Sequence, residues 1–598
     1  MRDMEPRKFA FLAYYHVLSI LLLLVGTVHA AQPSHSVTRF KWFPLTLSFF
    51  DDTPVAIYHD QAFGNVYVLQ SKGKSWDRAS DIPEGEAHSF IKHPFDNNYA
   101  FALSQGRTHW RTADRGKTWH SFEVPMEPAM TAAPLSFHVD KKNYGYILYR
   151  GTGCRSFPQW GQKCSDTTYY TKDAFSSKAE ILLENNSRCQ FAHSSPDFKH
   201  DAHENLIYCV ASSPGPADHW RELSARRLYS STDFFDKEIK IEDLGIGEEK
   251  SGGVVSLTIV SQSAVVGLKD VESDTDDGEI SLYVSVDTTT WSKAQFPHVS
   301  YAKLYEDRYT FVESTKHTLA VSVGMQDYTP ISTLFVSDSS GRYFVESLKD
   351  MTTDYEGNLE YEKVYGVEGV SLANVVANAE EIRRKDDRDF VRKRLKSVIT
   401  FDDGSSWRPI KPPLKSASGE PWFCDISDSE SCSLHFLDTT TSYNSGRVFS
   451  SPAPGYVMAV GSVGPHLARA SECQTFLSTD AGVSWRAIDS QTSVHGFADS
   501  GEIIVLVNNQ EKTVDEVKYS LDQGRSFDSY PLPNRMDATL HLSMVAVPNA
   551  SGFGSVEIML VGREADWRKG GGFDLVTIHL DLSSLRERKC DEEKWREL

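Results

Sequence analysis

The chain is short of positive charge, of long helical periodicity and of apolar runs beyond its N-terminus, and each shortage narrows what it can be. It sets 62 Lys and Arg against 82 Asp and Glu, a formal net charge of −20. A nucleic-acid-binding surface needs the opposite balance; an acidic surface favours basic ligands or plain solubility. No stretch carries a convincing long amphipathic helix, so the core has to be built from strands. After residue 28 nothing is apolar enough to cross a bilayer. Only eight cysteines are spread over 598 residues. None of the nearest spacings is Cys-x-x-Cys, which argues against zinc. No metal, cofactor or catalytic residue is expected. What remains is ample chain for a large core, with 40% hydrophobic and 12% aromatic residues, a composition suited to a globular β protein.

One turn recurs throughout. TADRGKTW (112–119), TFDDGSSW (400–407), STDAGVSW (478–485) and SLDQGRSF (520–527) all fit Ser/Thr-x-Asp-x-Gly-x-x-aromatic, the Asp-box. The carboxylates of Asp114, Asp402, Asp480 and Asp522 are suited to accept backbone N–H groups across a hairpin turn. Gly116, Gly404, Gly482 and Gly524 supply a positive φ that a side chain resists. Trp119, Trp407, Trp485 and Phe527 pack the hairpin onto its neighbours. The expected role of these aspartates is structural.

Degenerate copies fill the intervals. SKGKSW (71–76) keeps Gly73 and Trp76; TKDAFSS (171–177) keeps Asp173 and puts Phe175 at the glycine position. STDFF (231–235) keeps Asp233, SVDTTTW (285–291) keeps Asp287 and Trp291, and SDSSGRYF (337–344) displaces its acid to Asp338. Asp480 and Asp522 stand 42 residues apart, Asp233 and Asp287 54 apart. Short β-branched and aromatic runs such as VAIYHD, NVYVLQ, YGYILYR, SLYVSVD and EIIVLVNN lie between them. A repeat of about 40 to 60 residues made of short strands is the signature of propeller blades. Residues 40–585, shared among nine or ten copies, give about 55 to 60 residues each. That favours one large all-β propeller over two small ones.

The N-terminus carries Arg2, Arg7 and Lys8, then an apolar run to Val28 and small residues before Ala30. Residues 1–30 read as a secretory signal peptide rather than an anchor. A secretory route makes disulfides expected, and six cysteines fall into local pairs: Cys154 with Cys164, Cys189 with Cys209, Cys424 with Cys432. Cys473 and Cys590 are left over. Asn185 and Asn549 are N-glycosylation acceptors.

YEKVYGVEGVSLANVVAN (361–378), LKSVITFDDGSSWRPIKPP (395–413), GRVFSSPAPGYVMAVGSVG (446–464) and GFADSGEIIVLV (496–507) resemble the sortilin family. GTGCRSFPQWGQKCSDTTYYTKD (151–173) is similar to its fungal branch of vacuolar sorting receptors. The pair Cys424–Cys432 stands where the family carries a disulfide. The resemblance implies a ten-bladed β-propeller over 40–585, with a wide tunnel for protein or peptide cargo. It implies sorting of soluble vacuolar hydrolase precursors, carboxypeptidase Y among them, from the late Golgi to a prevacuolar endosome. ERKCDEEKWREL (587–598) looks like the opening of a cysteine-rich module at 586–598. The second propeller, membrane span and cytosolic tail of fungal relatives do not follow. Animal members hold a ligand carboxylate with an arginine just before the box aligned with 285–291; here Ile280 and Ser281 stand there, so no binding residue is carried over.

Other features have plain readings beside functional ones. IRRKDDRDFVRKRLK (382–396) reads as a solvated loop, with Lys393-Arg394 as a possible dibasic cleavage site. ESDTDDGE (272–279) reads as an exposed hairpin loop. Histidine ordinarily titrates near endosomal pH, so among the 20 histidines an acid-release switch is conceivable in principle, while most read as ordinary surface or core residues. The rival function is an Asp-box glycoside hydrolase, which needs two placed carboxylates. A sialidase would also need an early Arg-Ile-Pro-like segment; Arg408-Pro409-Ile410 lies mid-chain and reads as a strand start. A soluble, tail-less ligand-binding product without sorting activity is the other alternative.

Overall fold

The computed structural model describes residues 32–585 except 41–45, 51–52, 70–75, 130–132, 158–160, 213–222, 270–278, 298–308, 313–317, 325–329, 354–358, 385–390, 438–452, 510–512, 538–542, 548–554 and 565–573. The expected signal peptide, most of the 71–76 and 272–279 segments, Asn549, and Cys590 with the 586–598 module lie outside those residues.

Runs that are β-branched or aromatic at successive positions become short strands covered on both faces. Ala56–Asp60 is buried at every position, and so is Ala100–Leu103. The strands form eight antiparallel sheets. In chain order these occupy 46–78, 89–123, 127–184, 186–241, 254–293, 309–409, 433–489 and 493–581. Six have four or five strands and two have eight. Each eight-stranded sheet is two sets of four that pack on one another but share little backbone pairing. In 309–409 they join through the single pair Met351↔Val375, and in 493–581 through Met536↔Glu564 and Asp537↔Arg563. The final set is completed from the other end of the chain: Ser34–Phe40 pairs with Asp574–Asp581 over seven residues. The fold is all-β and propeller-like. Its one described α-helix, Ala379–Arg384, is six residues long, and its last three residues fall in the segment read as a loop.

The core is distributed between sheets. Ile57 and Val68 of the first sheet pack with Trp110 and Trp119 of the second. Phe101 and Phe122 pack with Tyr149 and Phe175 of the third. The pattern continues through Leu148 with Phe191, Tyr208 with Tyr283, Leu282 with Phe335, Ile399 with Phe436, and Leu477 with Ile504. It then returns to its start, because Ala56 and Leu69 share a cluster with Met559 and Val561 of the last sheet. Each sheet therefore depends on its two neighbours for burial, as stacked repeats do.

Candidate functional site

The recurring turns are closed by their own side chains. Thr112 Oγ1 donates to Asp114 Oδ1 at 2.8 Å and accepts the Gly116 N–H at 2.8 Å. Asp114 accepts the Thr118 N–H at 2.9 Å and the Thr118 hydroxyl at 2.7 Å. The same set of bonds recurs around Asp402, Asp480 and Asp522. Burial acts to raise the Asp114 carboxyl, and the bonds from Thr118 and Thr112 outweigh it, holding it below the usual carboxylate range. Ser406 and Thr400 hold Asp402 down at about 2. At least three donors from the turn itself hold each carboxylate in place and ionised, the posture of a structural group.

Both central residues of each turn have positive φ: Arg115 and Gly116 at 63° and 83°, Ala481 and Gly482 at 59° and 87°. This is the requirement of a type I′ hairpin turn. The strain therefore falls on two residues and not on the glycine alone. Glycine has a second reason. A Cβ on Gly116 would meet Ile57 Cδ1 at 3.1 Å, and one on Gly482 would meet Ile399 Cδ1 at 2.6 Å, each in the preceding sheet. Where Phe175 replaces glycine it keeps a φ of 61° and stacks on Phe122 of the preceding sheet, with centroids 4.5 Å apart. This degenerate turn thus inserts a ring where the others press their backbone. Trp485 packs on Phe436, with centroids 4.7 Å apart.

Three disulfides are present: Cys154–Cys164, Cys189–Cys209 and Cys424–Cys432. The first two join residues directly opposite across strand pairs. Cys473 is buried, its Sγ 3.4 Å from Arg469 O. Asn185 is exposed in the turn before the strand Asn186–Phe191. Lys393 does not lie in an open loop: its Nζ donates to Pro330 O, Thr352 Oγ1 and Thr353 O at 2.6–2.9 Å, a poor posture for a protease site. Ile280 is buried.

Several histidines sit inside the sheets as neutral rings. His435 Nδ1 accepts the Ser397 N–H at 3.0 Å while Nε2 lies 2.9 Å from Gly464 O. Burial lowers its pKa to about 4. His109 is likewise lowered to about 4 by burial, and His59, His93 and His138 are shifted the same way.

The arrangement suited to a ligand lies between the third and fourth sheets. A pocket of about 320 Å³ opens there, floored by Phe95, Leu135 and Leu148 and rimmed by Arg150, Arg188 and Gln190. Arg150 Nε donates to Asp166 Oδ2 at 2.9 Å, and Thr152 occupies the other carboxylate oxygen at 2.7 Å. Arg188 is exposed, on the first strand of its sheet. A bulge at Ser187 precedes it; bulges re-aim side chains. Desolvation by the surrounding walls lowers its pKa, as does the like charge of Arg150. Among the described residues the Arg188 guanidinium has no ion-pair or hydrogen-bond partner. Sequence reading had no signal for Arg188: it becomes visible only once the first strand of each repeat is known. Among the described residues no cluster is placed to hold a metal ion, and no helix is long and apolar enough to cross a membrane.

Residues 64–540 match the family profile Sortilin-Vps10, described as sortilin, neurotensin receptor 3. A protein of Laccaria bicolor named vacuolar protein sorting/targeting protein 10 is 50% identical over 587 residues, which is 97% of this chain and 39% of that protein. Its namesake in Mycosarcoma maydis is 35% identical, over 98% of this chain and 38% of that protein. The chain thus spans about two fifths of the length of the curated relatives it matches. Among solved structures, the GH74 enzyme of Niastella koreensis aligns over 91% of this chain and 80% of that one, at a TM-score of 0.32 and 12% identity, too distant for residues or activity to be transferred.

Proposed function

The chain belongs to the Sortilin-Vps10 family, and from that premise we propose that it is the cargo-binding propeller of a vacuolar sorting receptor. The observation that carries this is 50% identity, along nearly all of the chain, to a relative named for vacuolar protein sorting and targeting. Its cargo is soluble vacuolar hydrolase precursors such as that of carboxypeptidase Y, taken up in the late Golgi and released in a prevacuolar endosome. Residues 1–30 direct entry to the secretory pathway, the propeller expected over 40–585 takes in the strand Ser34–Phe40 as well, and 586–598 begin a cysteine-rich module.

Six single sheets, one of them five-stranded, and two double ones support a count of ten blades. The cyclic order of hydrophobic clusters supports a closed ring, as does the pairing of Ser34–Phe40 with Asp574–Asp581. In a ring of this kind the first strand of each blade lines the central tunnel, which puts cargo contacts on strands such as Asn186–Phe191, Val254–Val260 and Tyr309–Val312.

The test is capture of hydrolase precursors by the immobilised chain at neutral and mildly acidic pH. Retention at neutral pH that weakens in acid is expected. No retention at either pH would overturn the assignment of cargo binding to this part of the receptor.

A further inference from the structure

The pocket between the third and fourth sheets combines features rarely found together on a chain of net charge −20. Two guanidinium groups stand near each other, and the one carboxylate nearby, Asp166, is already held by Arg150 and Thr152. The site is therefore left with one uncompensated positive charge, on Arg188. Beside it, Gln190 Nε2 donates to Ser194 Oγ at 2.9 Å while its Oε1 is buried without a partner. Turning the amide over would satisfy Ser194 from the oxygen and leave the nitrogen unpartnered instead. Farther round, Ser256 Oγ and Tyr309 OH are 2.6 Å apart on the first strands of the next two sheets, and Tyr309 lies within electrostatic range of Arg188. The pocket has an apolar floor and a polar rim, and at about 320 Å³ it is the size of a side-chain pocket and not of a whole peptide groove.

We propose that this pocket is an anchoring subsite for cargo: Arg188, the exposed charge on its rim, forks onto a carboxylate of an extended peptide. This rests on the reading of the chain as a cargo-binding domain. It places carboxylate recognition on the strand Asn186–Phe191, not at Ile280–Ser281. A guanidinium is the natural partner because its planar fork matches both carboxylate oxygens. The low-dielectric walls strengthen the attraction. The carboxylate can come from an Asp or Glu side chain or from a free C-terminus.

The test uses the full chain and two variants, Arg188→Gln and Arg188→Lys. Each is checked by thermal melting and exposed to synthetic octapeptide pools with a fixed central Glu or Gln, made with free or amidated C-termini. The wild-type chain is expected to retain a carboxylate-bearing pool about ten-fold better than its neutral counterpart, the size of one charge-assisted hydrogen bond. Arg188→Gln is expected to lose that preference and Arg188→Lys to keep part of it. A preference for Glu over Gln that survives amidation assigns the subsite to acidic side chains; a preference that follows the free C-terminus assigns it to chain ends. No preference in the wild-type chain, or an unchanged one in Arg188→Gln, overturns the proposal. If the glutamine variant does not fold, the lysine variant decides: retention equal to wild type counts against the fork. Precursor capture separates the two levels. Wild type and Arg188→Gln capturing precursors equally would remove the subsite and leave the receptor; capture by neither would remove both.

Discussion

At the scale of single residues, the molecule spends its polar groups inward. The turn aspartates were legible because each function leaves a fixed residue at a fixed spacing: Ser or Thr to tie Asp, Asp to tie the next N–H groups. The histidines were not legible. Nothing in sequence separates His435, wedged between Ser397 N and Gly464 O, from an exposed histidine that titrates normally. Its place has a consequence for stability. Burial lowers its folded pKa to about 4, against about 6.5 in the unfolded chain. Between those values the unfolded state binds the proton and the folded state does not, so stability falls as pH drops from about 6.5 towards about 4. His109 adds to the same slope. Melting temperature is therefore expected to fall steadily across that window, and His435→Gln to flatten the fall while lowering stability at pH 7.5. An unchanged slope in the variant would show that His435 takes up its proton equally in both states.

At the scale of elements, the eight-residue turn is both a hairpin closure and a joint to the preceding sheet. The first role was readable from Asp and Gly. The second was not, because it depends on what lies beneath: Ile57 under Gly116, Ile399 under Gly482. The same contact explains why Phe175 can stand at a glycine position. Its ring stacks on Phe122, so the preceding sheet receives a side chain in place of a close backbone. Phe175→Ala is expected to cost about 3–5 kcal/mol, as truncation of a buried ring does, measured by chemical denaturation. A loss below about 1 kcal/mol would mean that the strained turn, and not the ring, holds that joint. The strand content was legible in runs such as NVYVLQ, whereas the short helix Ala379–Arg384 was not, since its six residues give less than two turns of periodicity. Arg188 was hidden for a related reason. In NNSRCQF an arginine beside a glycosylation acceptor reads as ordinary surface, and only the frame of first strands turns it towards a pocket.

At the scale of the whole molecule, successive sheets bury their faces on one another in cyclic order, and the chain's first strand completes its last sheet. A repeat of 40 to 60 residues made the blade legible in sequence; the count depended on degenerate copies such as 71–76, where the motif has lost its acid. The pairing of the first strand with the last was not legible, because Ser34–Phe40 carries no turn motif and its partner lies more than 500 residues away. The central claim joins the two halves of the account: a closed ring whose inner strands bind cargo. The most direct measurement is an electron cryo-microscopy reconstruction of the chain bound to a hydrolase precursor. The account predicts ten blades around one tunnel, with a peptide segment of the precursor against the inner strands beside Arg188. An open or divided ring, or a precursor seated on the outer rim, would contradict it.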